Sequence, residues 1–225
     1  MMKHYVAIAW SAALLAGCTT MDKGTEGTMM AGDEARAHIG HVMTGWKDTP
    51  DGKGLLPVAI EEAEIALKHA EFAAKKPDDL KWMQTHTEHV MHAVDPGTVS
   101  ITAPGLGYGV RKAAAGAKAH IGFSAKSKDS SKNVGLHAQH VGASSGNTNW
   151  RVDAIVEMGN RVLAYDKAEK AVPRVQEILL MVEEILDGFD ANGDGKVTWH
   201  EEEGGLLEAK KHMGFMLKGE NMKMM

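Results

Sequence analysis

His69 and His86 stand seventeen residues apart, and so do His120 and His137. The midpoints fall on turn signals, Pro77-Asp78 in the first case and Lys128-Asp129 in the second. Two helices joined by a short turn run antiparallel, and residues equidistant from the turn lie at one height. The spacing therefore predicts two helical hairpins, each holding a lone histidine level with another across the pair. The likeness extends further: residues 66–90 and 117–141 share Phe72 with Phe123, Ala74 with Ala125 and Lys75 with Lys126. Both units close on His-x-x-His-Val, and the same pattern occurs earlier as His38-Ile39-Gly40-His41-Val42. Recurrence of this kind marks a duplicated supersecondary unit.

Apolar and small residues recur at helical spacing through the rest of the chain. They predict helices at 31–46, 57–76, 78–94, 108–126, 131–145, 149–169, 174–189 and 200–217. The breaks are the Asp48-Thr49-Pro50-Asp51-Gly52 turn, Pro77-Asp78, the Asp95–Gly109 loop, Lys128-Asp129-Ser130 and Ser145-Gly146-Asn147. Pro173 is expected in a helical first turn, where no amide donor is needed. Aromatic residues make up only 5% of the chain, and strand-like alternation is lacking. The expected class is all-α.

Imidazole suits zinc, copper and nickel, and three histidines with an open fourth position form a known zinc arrangement. On a helix, residues three apart are surface neighbours. His89 thus joins His69 and His86, and His140 joins His120 and His137, giving one expected triad per hairpin. His92 continues the i+3 series beyond His89, with Ala143 at the matching place in the second unit. Glu34, His38 and His41 share one face of the first helix, which is expected either to supply a further site or to complete one of the hairpin sites. The bland alternative is a row of half-exposed histidines inherited together by duplication.

Short Ala/Glu/Lys-rich helices carrying Lys-His-Ala and His-x-x-His resemble the periplasmic His-rich small metal-binding proteins. The likeness spans roughly residues 60–145, and it implies a helical bundle that binds copper or other divalent metals. Two other chemistries use histidines on neighbouring helices. Bis-histidine ligation of a b-type haem also takes one histidine from each of two helices, but Thr85, Thr87, Glu88 and Gln139 crowd these histidines with polar neighbours. A carboxylate-bridged di-iron centre needs Glu-x-x-His on two helices, and no histidine here has glutamate three positions before it.

Asp190–Glu201, DANGDGKVTWHE, fits the EF-hand pattern at every demanded position. It resembles an EF-hand calcium loop with Asp190, Asn192, Asp194 and Glu201 as side-chain ligands. That resemblance implies the Lys196 carbonyl at position 7 and Thr198 at position 9, with Val197 packing inward. A stripe of Val175, Ile178, Leu179, Val182, Ile185, Leu186 and Phe189 is expected to bury one face of the entering helix. The loop stands alone, since Asp48–Gly54 is at best a degenerate partner. The C-terminal helices should then pack on the histidine bundle, with Gly204-Gly205 weakening the exit helix. In the tail, Met213 and Met216 read as an apolar face beside His212. The terminal methionines, Met222, Met224 and Met225, are candidate contacts for Cu(I).

Lys3, the apolar run Tyr5–Leu15 and Leu15-Ala16-Gly17-Cys18 read as an export signal too short to span a bilayer. Leu-Ala-Gly-Cys resembles a bacterial lipobox, which implies lipidation of Cys18, and Thr19 rather than Asp after it looks like the outer-membrane sorting pattern. Cys18 is the sole cysteine, so disulfides, thiolate metal sites and a CxxCH haem attachment are excluded. The net charge of −5 is spread along the chain, and nothing points to nucleic acid.

The expected organisation is therefore a signal at 1–18, a tether at 19–30, a bundle of repeated His-bearing antiparallel hairpins at 31–169 and one EF-hand at 170–225. The expected function is binding of Ca²⁺ at the loop and of Cu, Zn or Ni on the histidines, for sequestration or delivery. The alternatives are a b-type haem protein and a calcium-stabilised structural lipoprotein. No catalytic constellation stands out, so no enzyme is expected.

Overall fold

A computed structural model describes residues 29–101, 103–200 and 202–223. The expected signal with Cys18, most of the tether, Glu201, Met224 and Met225 lie outside the described residues. Among those residues the protein is built of α-helices joined by turns, with no strand. The helices are α1 (Asp33–Met43), α2 (Leu55–Ala74), α3 (Leu80–Val94), α4 (Val110–Lys126), α5 (Lys132–Gly146), α6 (Thr148–Ala164), α7 (Ala168–Asp187) and α8 (Leu206–Gly219). None is long and apolar enough to cross a membrane.

Helices α2, α3, α6 and α7 form a four-helix bundle in which α2 touches α3 and α7, and α6 closes the ring. A second row, α1–α4–α5–α8, lies along it, with α4 packed on α2. Alanines make the close approach possible: Ala59, Ala63, Ala66 and Ala70 of α2 and Ala113, Ala114 and Ala117 of α4 are all fully buried. The valine that ends each His-x-x-His-Val, namely Val42, Val90 and Val141, is also fully buried. It pins the helix face, so the two preceding histidines sit at the edge of the helix contact.

Polar side chains set the register between helices distant in sequence. The Asp129 carboxylate, in the turn after α4, accepts the N–H groups of Glu34 (3.0 Å) and Ala35 (3.1 Å). A residue of another segment thus caps α1, satisfying donors that a helix start leaves free. Buried Glu220, just after α8, accepts from Ala31 N at 2.6 Å and Asn133 Nδ2 at 2.8 Å. Asn133 also donates to the Met216 carbonyl at 3.1 Å, fixing α8 on α5. Buried Glu62 accepts the N–H groups of Leu106 (3.1 Å), Tyr108 (2.9 Å) and Gly109 (2.9 Å), and so holds the long loop that leads into α4.

Three expectations are corrected. Helix α7 opens at Ala168, so Pro173 lies beyond its first turn and removes one internal hydrogen bond. Helix α8 begins at Leu206 instead of residue 200. Gly204 and Gly205 precede it because a Cβ there would strike Ser144 and the backbone of Leu186 and Gly188, and only glycine permits that approach. Val197 and Phe189 are exposed, 37% and 50% respectively, whereas the other members of the α7 stripe pack inward.

Candidate metal centres

Among the described residues, three groups of histidines could each hold a metal ion: His38/His41/His120, His69/His86/His89 and His137/His140/His212. Each joins a His-x-x-His on one helix to a lone histidine on an antiparallel neighbour, and in every case the meeting atoms are Nδ1. The first joins α1 to α4, with His120 Nδ1 lying 3.0 Å from His38 Nδ1 and 3.3 Å from His41 Nδ1. The second joins α3 to α2, with His69 Nδ1 at 3.0 Å from His86 and 3.2 Å from His89. The third joins α5 to α8, with His212 Nδ1 at 3.1 Å from both His137 and His140.

Proton placement alone does not satisfy these contacts. A neutral imidazole Nδ1 carries either one hydrogen or one lone pair. The central Nδ1 of each triad faces two others, so at most one contact can be a proper hydrogen bond. A cation at the centre would take three lone pairs at once. Tetrahedral zinc with Zn–N near 2.0–2.1 Å sets ligand nitrogens about 3.3–3.4 Å apart, close to the separations here. Burial also favours the neutral, coordinating form of eight of these imidazoles. Burial, followed by neighbouring imidazoles, pushes His69 down to about 4. Burial likewise lowers His41, His86, His89, His120, His137, His140 and His212. A depressed imidazole is neutral at neutral pH and free to coordinate.

Aromatic rings wall each triad in a repeated way. The residue three after each lone histidine is phenylalanine: Phe72, Phe123 and Phe215. Each lies 5.2–5.7 Å from the lone histidine and from the first histidine of the facing pair. A tryptophan completes the wall, and its origin varies. Trp46 follows α1 and meets His41 and His120 at 4.7 and 4.6 Å. Trp82 opens α3 and meets His86 at 4.2 Å. Trp199 comes from the loop after α7 and stacks on His140 at 4.1 Å.

The triad expected from the first hairpin is present. The second expected set is not: His120 turns to α1, and His137 with His140 turns to α8. His92 stands outside all three triads, and its Nδ1 is buried with no hydrogen-bond partner. His212 was not among the expected histidine ligands. Its signal was there, because His-x-x-Phe recurs at His69, His120 and His212 and accounts for three of the four phenylalanines. Met213 and Met216 are fully buried in the core, as an apolar face requires, and take no part in a site.

The expected calcium loop follows α7. Asp190 accepts the N–H groups of Gly193 (2.8 Å), Asp194 (3.1 Å) and Gly195 (2.8 Å). Asp194 accepts Lys196 N–H at 2.9 Å. Glu203, which the pattern does not include and which is only 2% exposed, also bonds to the loop, accepting from Asn192 Nδ2 at 2.5 Å and Thr198 Oγ1 at 2.6 Å. The exit limb is tied to the bundle by Asn147, which donates to the carbonyls of His200 (3.2 Å) and Gly204 (3.0 Å). Buried Arg151 donates to the Glu202 carbonyl at 2.7 Å.

The chain matches no family model, no curated protein and no solved structure. Function is therefore argued from the sites themselves.

Proposed function

We propose that this protein is an exported metal-binding lipoprotein that carries transition-metal ions on its three histidine triads, for sequestration or delivery. The observation behind it is the threefold convergence of Nδ1 atoms at 3.0–3.3 Å. Duplication of surface histidines would repeat their sequence positions but would not aim nine imidazoles at three points from six helices. In this reading the metal is cargo: the triads bind and shield it, and zinc, copper or nickel suits imidazole donors. The Asp190–Glu201 loop is assigned to Ca²⁺ on its match to the EF-hand pattern, and Cys18 to the lipid anchor on the lipobox. A b-type haem is disfavoured, since imidazoles in contact with one another leave no slot between them for a macrocycle.

Elemental analysis of protein purified without chelators tests the proposal. The expected content is three transition-metal ions and one calcium per chain, with lipid on Cys18 in the intact mass. Calcium alone would leave a calcium-stabilised structural lipoprotein, and a Soret band would return the haem reading.

A further inference from the structure

The three triads share donors and aromatic walls but differ in what lies behind the lone histidine. Glu208 Oε1 sits 3.1 Å from His212 Nε2, one helical turn earlier on α8. Both side chains are nearly enclosed, 12% and 11% exposed. The residues at the same offset from His69 and His120 are Ile65 and Gly116, which have no side-chain acceptor. Glu208 also pairs with Lys211, whose Nζ lies 3.1 Å from the same Oε1 and 3.0 Å from Oε2, so that the carboxylate is shared between the imidazole and the ammonium.

A carboxylate on the far nitrogen of an imidazole does two things. It draws the ring proton to Nε2, leaving the Nδ1 lone pair facing His137 and His140, and it raises the basicity of that lone pair. It also sets a negative charge close to the centre. A dication held only by neutral imidazoles in a half-buried setting keeps its full charge uncompensated, which is costly. The second triad also has lysines nearby, Lys76 3.6 Å over the Trp82 ring beside His86 and Lys68 next to His69, but its acidic neighbour Glu88 acts on His89 and not on the lone histidine.

Resting on the proposed metal-binding function, we infer that the His137/His140/His212 triad is the divalent-cation site that fills first, with Glu208 as the positioning residue that makes it so. The three sites are therefore graded, and the chain takes up a dication at the α5–α8 contact before the other two.

The test is a Zn²⁺ titration of the full chain against a competing chelator, with Ca²⁺ present to saturate the loop. Wild type should bind one equivalent ahead of the other two. Glu208→Ala should weaken that first equivalent by about 10- to 100-fold, the usual effect of losing an outer partner of a ligating histidine. Glu208→Gln, which keeps an acceptor without the charge, should fall between. The two weaker equivalents should persist in both variants, and they report an intact fold in the same sample. Should Glu208→Ala lose all three together with helix content, the Gln variant decides. Nitrogen chemical shifts of metal-free protein should show His212 protonated at Nε2 in wild type and mixed in Glu208→Ala, a change that a purely packing role would not produce. Three indistinguishable equivalents, a first equivalent untouched by Glu208→Ala, or one lost with His69→Ala would each overturn the inference while leaving the triads as metal sites. No zinc uptake at all would overturn both.

Discussion

His38 and His120 bring their Nδ1 atoms to 3.0 Å across a sequence separation of 82 residues. The link is made possible by Asp129, which caps α1 from the turn after α4 and so sets the height of one helix on the other. Helix α5 meets α8 by a comparable device, through Asn133 and Glu220. The hairpin joining α4 to α5 thus carries two half-sites facing opposite ways.

Metal stoichiometry should follow these groupings. His120→Ala should cost the α1–α4 site and leave the other two, lowering uptake from three ions to two, and His137→Ala should do the same at the α5–α8 site. The double variant His120→Ala/His137→Ala should lose both sites additively, because separate sites do not couple. By contrast, His137→Ala and His212→Ala should be strongly non-additive. Calorimetric titration of the five variants, three single and two double (His120→Ala/His137→Ala and His137→Ala/His212→Ala), reads this directly. Non-additivity between His120 and His137 would contradict the observed pairing.

The sequence carried the first hairpin almost whole. Equal spacing about a turn gives the height of a side chain on an antiparallel pair, and His69 does meet His86 at that level. It does not give azimuth. Ile121 points from α4 toward Gly142 of α5, so His120, about 100° further round the helix, leaves that contact and meets α1 instead. His69 lies beside buried Ala70 but still reaches α3. What decides between these outcomes is the packing of Ile121, Ala114 and Ala117, which no local pattern encodes. The start of α8 was hidden for a related reason: 200–205 reads as helix until Ser144, Leu186 and Gly188 close on Gly204-Gly205.

Glu62 anchors the approach to α4 and is fully buried. Glu62→Ala would strand three backbone donors, at Leu106, Tyr108 and Gly109. Each unsatisfied buried group costs about 1–3 kcal/mol, so a loss of several kcal/mol is expected, discounted where water enters. For a domain of this size that corresponds to a fall of roughly 10 °C in Tm or more. Thermal unfolding followed by circular dichroism measures it, and a shift under about 2 °C would show that Glu62 does not hold the loop.

Acid should destabilise the metal-free protein in a defined window. The folded state holds His69 at about 4, below the unfolded value of 6.5. Between those values the unfolded chain binds more protons, so stability rises with pH across the window and falls as pH drops through it. The depressed histidines of the other triads act in the same direction. Denaturant midpoints should be constant above pH 6.5 and decline from there toward pH 4, with a shallower decline in His69→Ala. A midpoint that rises on acidification would mean that the imidazoles are charged in the fold.

Trp199 offers a reporter for the loop, because it occupies loop position 10 and stacks on His140 at 4.1 Å with the rings 21° apart. His200 stacks on its other side at 4.4 Å. If Ca²⁺ draws Asp190, Asn192 and Asp194 inward, the carboxylates exchange backbone N–H partners for the ion and the segment carrying Trp199 must shift with them. Tryptophan emission should then change on calcium addition in wild type and much less in Trp199→Phe, where Trp150, which lines the same pocket as Trp199, is the remaining tryptophan near the loop. Asp194→Ala should remove the response by deleting a ligand, with the triads intact. Because Asn147 and Arg151 fasten His200, Glu202 and Gly204 to the bundle, the movement should be confined to residues 190–199. It should therefore alter zinc affinity at the His137/His140/His212 triad without altering the other two. A calcium isotherm with no change in emission would show that the loop fills without moving Trp199, and no isotherm would remove the calcium assignment itself.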